Sequence, residues 1–225
     1  MLRPGWTDKV TGALVRGVLL VLGVSALGAC ASVGRGIAPA GAATAATSAV
    51  PSPELQAAYG QLLTRLRSGD ATALADLEKF SAANPGLAGP LLNLGLARNL
   101  AGDESAARDY FQRASQVCIR CGPAWNELGV LGRKQGRFAE AEQAYLRAIE
   151  LQPDYAPAYY NLAVLYELYI PRPELALQNY ERFLQMGGAA DQAGDVETSD
   201  VEKWVADLRR RVGTTAKTAR TEGTT

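Results

Sequence analysis

From Leu91 onward the large apolar residues return with a period far longer than a helical turn. Leu94, Leu128 and Leu162 stand 34 residues apart, each followed by a small residue, Gly95, Gly129 or Ala163. Leu91, Trp125 and Tyr159 hold the large apolar position ahead of them. The second half of the unit recurs in the same way: Ala107 with Ala141, Phe111 with Tyr145, Ala114 with Ala148, and Gly102 with Gly136 at the turn between halves. Self-similarity at this period marks an array of stacked helical units. The small residues let two antiparallel helices approach closely, and the large ones fill the space opposite. Pro153 then stops a helix, because it cannot donate a backbone hydrogen bond and disfavours the preceding helical turn.

These residues resemble the tetratricopeptide repeat family. The best copy, residues 122–155, has Trp125, Leu128, Gly129, Gly136, Phe138, Ala141, Tyr145, Ala148, Leu151 and Pro153 at the family's signature places. It departs at Gly132, where a tyrosine is usual. The resemblance implies an all-α fold, a right-handed α-solenoid of antiparallel helix pairs. Residues 88–121, 122–155 and 156–187 form three units, and 53–87 form a degenerate first one.

The ends of the array depart from the pattern. In the last unit Ala176, Tyr180 and Phe183 lie 35 rather than 34 residues beyond their counterparts, and Pro171 and Pro173 mark the turn that holds the extra residue. In the first unit Ala73, Leu77 and Pro85 keep register, but Gln61 stands where a small residue is expected, so its first helix packs differently. Ser52-Pro53-Glu54 is a helix start, with Ser as cap and Pro in the first turn.

Repeat arrays need polar-faced caps. Ser199-Asp200-Val201-Glu202 resembles a capping box, and Val201, Trp204, Val205, Leu208 and Val212 share one helical face. Residues 199–212 are predicted as the C-terminal capping helix, ending at Arg209–Arg211, where positive charge suits the dipole. Residues 213–225 are predicted as a disordered tail.

At the amino terminus the patterning changes character. Arg3, Lys9 and Arg16 precede the uncharged run GVLLVLGVSAL, too short to span a bilayer and shaped like a secretory signal. Leu27-Gly28-Ala29-Cys30 resembles the bacterial lipobox. That resemblance implies a signal peptide over residues 1–29 and makes Cys30 the lipid-bearing first residue of the mature chain. More than one acyl chain makes membrane residence stable. Ala31 in place of an aspartate implies the outer membrane, periplasmic face. The alternatives are ordinary signal cleavage, releasing a soluble periplasmic protein, and an uncleaved anchor. Residues 30–52 read as the lipidated cysteine and a flexible tether, with a typical span of about 25 Å.

Composition narrows the chemistry. The 225-residue chain has no histidine, which removes the Ser-His-Asp and Cys-His nucleophile arrangements and every His-ligated metal or haem site. Its 23 basic and 23 acidic residues balance, leaving no basic excess to bind nucleic acid. Removal of residues 1–29 leaves 20 basic and 22 acidic side chains. Neither a catalytic residue nor a cofactor, metal or small-molecule substrate is expected.

Cys118-Ile119-Arg120-Cys121, between the second and third units, is the one chemical motif of the body. In an oxidising compartment the pair can close a small disulfide ring. Two thiols remain the alternative, as do redox and metal roles, which lack a βαβ setting and further ligands respectively.

The family resemblance also implies a concave groove, lined by each unit's first helix, that takes a peptide or helix from a protein partner. Position by position this places Leu92, Asn93, Leu96 and Asn99 in the groove, then Asn126, Val130, Arg133 and Lys134, then Tyr160, Asn161, Val164 and Glu167. Asn93 and Asn161 sit where an amide can bond a partner's extended backbone, and Glu127 takes that place in the third unit. Only Arg133 and Lys134 offer positive charge, so binding of a chaperone tail by a carboxylate clamp is not supported. The expected function is a lipid-anchored, non-enzymatic scaffold like the repeat lipoproteins of pilus biogenesis, or an adaptor for peptidoglycan hydrolases. A periplasmic thiol-redox protein using Cys118 and Cys121 is the alternative of another class.

Overall fold

The computed structural model describes residues 51–118, 120–188 and 198–222, with side chains to Thr214. The signal peptide, Cys30 and most of the tether therefore lie outside the described residues, as does most of the loop between the last repeat and the cap. Nine helices and no strand are present among the described residues: α1 (Pro53–Arg67), α2 (Ala73–Ala83), α3 (Ala88–Leu100), α4 (Glu104–Val117), α5 (Gly122–Lys134), α6 (Phe138–Leu151), α7 (Ala156–Leu168), α8 (Pro173–Gln185) and α9 (Thr198–Glu222).

The closest pairings are α3 with α4, α5 with α6 and α7 with α8, and each pair stacks on the next. The predicted small residues explain how tightly they meet. A Cβ on Gly95 would lie 2.4 Å from the Phe111 ring, and one on Gly129 would lie 2.5 Å from the Tyr145 ring. Each aromatic ring of a second helix thus rests on bare backbone of the first. At Gly132 a Cβ would lie 3.3 Å from the Ala141 nitrogen, so α5 and α6 are close here as well.

Gly102 and Gly136 close the turns in the left-handed region, with φ of 83° and 71°. The following N–H then donates to a carbonyl five residues back: Asp103 to Arg98 at 2.9 Å and Arg137 to Gly132 at 2.8 Å. The last unit has no glycine here, and Arg172 N–H donates to the Tyr166 carbonyl six residues back at 3.0 Å. The single inserted residue read from the sequence is this wider turn.

The first unit packs differently, as Gln61 suggested. Gln61 is exposed, and Tyr59 and Leu63 are buried in its stead. Tyr59 stacks on Phe80 with ring centroids 5.7 Å apart and reaches the start of α3. Ser52 caps α1 as expected, accepting from Leu55 N–H at 3.3 Å.

Val201, Val205 and Leu208 of α9 are buried in one cluster with Tyr160, Val164, Tyr180 and Phe183, so the cap covers the apolar end of the array. Two expectations about this helix are corrected. It begins at Thr198 and runs to Glu222, through a stretch expected to be disordered. Beyond Gly213 the segment TTAKTARTE contains neither proline nor glycine, so nothing in it stops a helix already nucleated by the packed face. Arg209–Arg211 therefore do not mark its end. Arg209 instead reaches Glu181 of α8 at 2.7 Å, and Arg211 reaches Glu167 of α7 at 2.7 Å.

Candidate functional site

The first helices α3, α5 and α7 present the twelve groove residues at corresponding positions, and the structure divides these residues into three groups. Leu92, Leu96, Val130, Tyr160 and Val164 are buried and contribute to the core. Tyr160 sits 5.4 Å from the Phe183 ring and 6.0 Å from that of Tyr180. Their burial follows from the stacking of neighbouring units, which encloses apolar side chains that a single helix pair would leave in water.

The polar residues form a seam of bonds between units. Asn93 is buried, and its amide donates to Tyr59 OH at 2.5 Å and to the Gly89 carbonyl at 3.2 Å. The expected amide contact with a partner is thus already used within the chain. Asn126 is also buried. It donates to Glu127 Oε1 at 3.1 Å and accepts from Asn161 Nδ2 at 3.0 Å. Lys134 Nζ bridges Asn99 Oδ1 at 2.8 Å and Glu104 Oε1 at 3.0 Å, and Glu167 is taken by Arg211 of the cap. Lys134 is exposed at the rim, and Asn99, Asn161 and Glu167 are half-buried.

Arg133 stands apart. Its Nε donates to Tyr145 OH at 3.3 Å, its Nη2 lies 3.5 Å from Asn161 Oδ1, and its guanidinium sits 5.8 Å from the Tyr169 ring centroid. Nearby Glu127 has an enclosed carboxyl although the residue as a whole is half-buried. Burial pushes it up to about 7, against the opposing pull of the Asn126 amide and the Arg133 charge. Sequence reasoning missed Tyr59, Tyr145 and Tyr169 as members of this face. The signal for Tyr59 was available, since Tyr59, Asn93, Glu127 and Asn161 share the 34-residue spacing. Tyr145 read as a core ring, and nothing in the sequence showed that its hydroxyl reaches the seam.

Cys118 is half-buried as the C-cap of α4, and Cys121 is buried among Ala88, Leu91, Phe111 and Leu131. The turn is held by Cys121 N–H donating to the Cys118 carbonyl at 3.1 Å. A hydrogen bond from the Cys121 thiol draws Cys118 down to about 7, with burial opposing it. Among the described residues, no helix is long and apolar enough to cross a membrane.

A row of helix pairs carrying a polar seam along its first helices defines a repeat solenoid. A tetratricopeptide repeat family model matches residues 131–168. The pilF protein of Pseudomonas aeruginosa shares the fold, with a TM-score of 0.59 and 22% identity, over 72% of this chain and 70% of that one. So does a thermophilic tetratricopeptide protein of Thermus thermophilus, with a TM-score of 0.54 and 21% identity, over 69% of this chain and 81% of that one. The peroxisomal targeting signal receptor of Candida glabrata is 45% identical over 56 residues, which make up 25% of this chain and 10% of the receptor. The chain thus spans about a tenth of the length of the curated relatives it matches. Its fold is that of tetratricopeptide-repeat solenoids, and residues 131–168 match the repeat model.

Proposed function

We propose that this protein is a non-enzymatic scaffold, held by lipid on Cys30 to the periplasmic face of the bacterial outer membrane, that recruits a partner protein into an envelope assembly. Pilus or secretion-system biogenesis is the assembly favoured, and docking of peptidoglycan hydrolases is the alternative within the same class. The observation that carries the scaffold reading is the continuous first-helix face of α3, α5 and α7, whose polar groups are arrayed between stacked units. The lipid anchor rests on Leu27-Gly28-Ala29-Cys30 following an uncharged apolar run.

Two measurements test it. Cells fed labelled palmitate label the wild-type chain and not Cys30→Ser. A photo-reactive residue at Tyr169, beside the first-helix face, captures an envelope protein that the same residue at Lys79, on the outside of α2, does not. Absence of label, or capture indifferent to position, overturns the proposal. A thiol-redox role is the second reading, favoured by the lowered Cys118 thiol. Insulin reduction that is lost in Cys118→Ser would replace the scaffold reading with it.

A further inference from the structure

Every arginine that crosses between neighbouring helices of this array, with one exception, finds a carboxylate. Arg98 meets Glu78, Arg172 meets Glu142, Arg209 meets Glu181 and Arg211 meets Glu167. These are the more exposed arginines, for which pairing matters least, since water solvates them well. The exception is Arg133, the one charged side chain among the described residues that is buried, at 8% exposure. It forms no ion pair. Its hydrogen-bond partners are the neutral Tyr145 hydroxyl and the Asn161 amide oxygen, at the long distances of 3.3 and 3.5 Å. A guanidinium has five N–H donors in a planar fork suited to a carboxylate, and two long bonds to neutral acceptors leave most of that capacity unused. An enclosed cation with no carboxylate in contact is costly to fold, and the nearby Glu127, whose own carboxyl is pushed up to about 7 by burial, compensates it only in part.

The surroundings are open on one side. Tyr169, whose ring lies beside the guanidinium, is 39% exposed, and Asn161 is half-buried. Lys134, the next residue, is exposed at the rim and adds positive charge, although Glu104 already holds it. The face therefore combines a recessed guanidinium, an exposed aromatic ring and an amide that can bond an extended backbone.

We infer that the first-helix face binds a partner segment that places an aspartate or glutamate side chain against the Arg133 guanidinium, with Tyr169 and Asn161 flanking it. This rests on the scaffold reading above and specifies the chemistry of its partner. The contacting carboxylate that the chain does not place on Arg133 is supplied by the complex, in a fork–fork contact that is strong because it is partly desolvated.

The test uses the full-length chain in detergent and an immobilised library of extended, C-terminally amidated peptides in matched pairs, each acidic peptide beside its Asn/Gln counterpart. The wild-type chain is expected to prefer the acidic members by about tenfold or more, the discrimination of a charge-assisted pair. Arg133→Met, an apolar side chain of similar length, is expected to fold at least as stably as the wild type and to lose that preference. Because the wild type needs no mutation to be read, a second measurement follows the Arg133 Nε–H resonance. It shifts with an acidic peptide and not with the amide counterpart. An acidic preference undiminished in Arg133→Met, or a resonance indifferent to the charged peptide, overturns the inference and leaves the scaffold reading standing. If no library member binds, the inference fails, and the scaffold reading is decided by capture from Tyr169.

Discussion

At Gly129 the Tyr145 ring occupies the space a methyl group would need, whereas at Gly136 space is open and only the backbone angle requires glycine. The two glycines therefore fail in different ways when replaced. Gly129→Ala must displace a buried ring and is expected to cost about 1–3 kcal/mol, the range for overpacked cores. Gly136→Ala keeps the packing and pays only for the left-handed conformation, about 1 kcal/mol. Urea unfolding of both variants gives this ordering directly, and a costlier Gly136→Ala would contradict it. Glu127 makes the corresponding point for charge. Its folded value of about 7 lies above the ordinary 4.5, so the folded chain holds the proton more tightly than the unfolded one. The associated stability is full below about 4.5 and is lost as pH rises through 7. Glu127→Gln should remove this slope and raise stability above pH 7 by on the order of 1–2 kcal/mol, a figure kept modest because the residue is half-buried. A melting temperature with unchanged pH dependence in the variant would exclude Glu127 as its source.

Among the elements, α9 shows which contacts hold a cap. Its buried face of Val201, Val205 and Leu208 closes the core, while its arginines reach α7 and α8 across the surface. Leu208→Ala is expected to cost about 2–4 kcal/mol, as apolar core deletions do. Arg209→Ala should cost about 0–1 kcal/mol, since Arg209 is exposed and its ion pair is screened. Equilibrium unfolding of both separates the two roles, and equal losses would show that the cap is held electrostatically. The apolar face of α9 was legible as Val201, Trp204, Val205, Leu208 and Val212 because helical periodicity is local information. Its length was not legible, since a polar stretch without breakers is compatible with either coil or helix, and the Arg209 to Arg211 run gave a misleading stop signal.

For the whole molecule, stability in an array is a sum over units and their interfaces. The first unit lacks the glycine-on-ring contact that joins α3 to α4 and α5 to α6, because Gln61 turns outward where Gly95 and Gly129 turn in. Amide exchange in α1 and α2 is therefore expected to be markedly faster than in α5 and α6, reporting a lower local opening energy. Uniform protection across all pairs would show that the array unfolds as one unit despite this difference.

The order of helices, the 34-residue unit, the turn insertion in the last repeat and the odd packing of the first were all present in the sequence. Each depends on residue size and backbone freedom at fixed spacing, which a linear pattern records. The state of the candidate face was decided only in three dimensions. Asn93 is the right residue type at the right position for a partner's backbone, yet stacking brings Tyr59 within reach and uses it inside the chain. Cys118 and Cys121 have a spacing compatible with a disulfide, and the turn brings their side chains within hydrogen-bond reach of each other. Arg133 looked like one of two ordinary surface charges until folding placed it in a recess with neutral partners. Spacing along a chain specifies which residues share a face. Whether their polar groups are spent or left available depends on neighbours from other units, which only the packed array brings together.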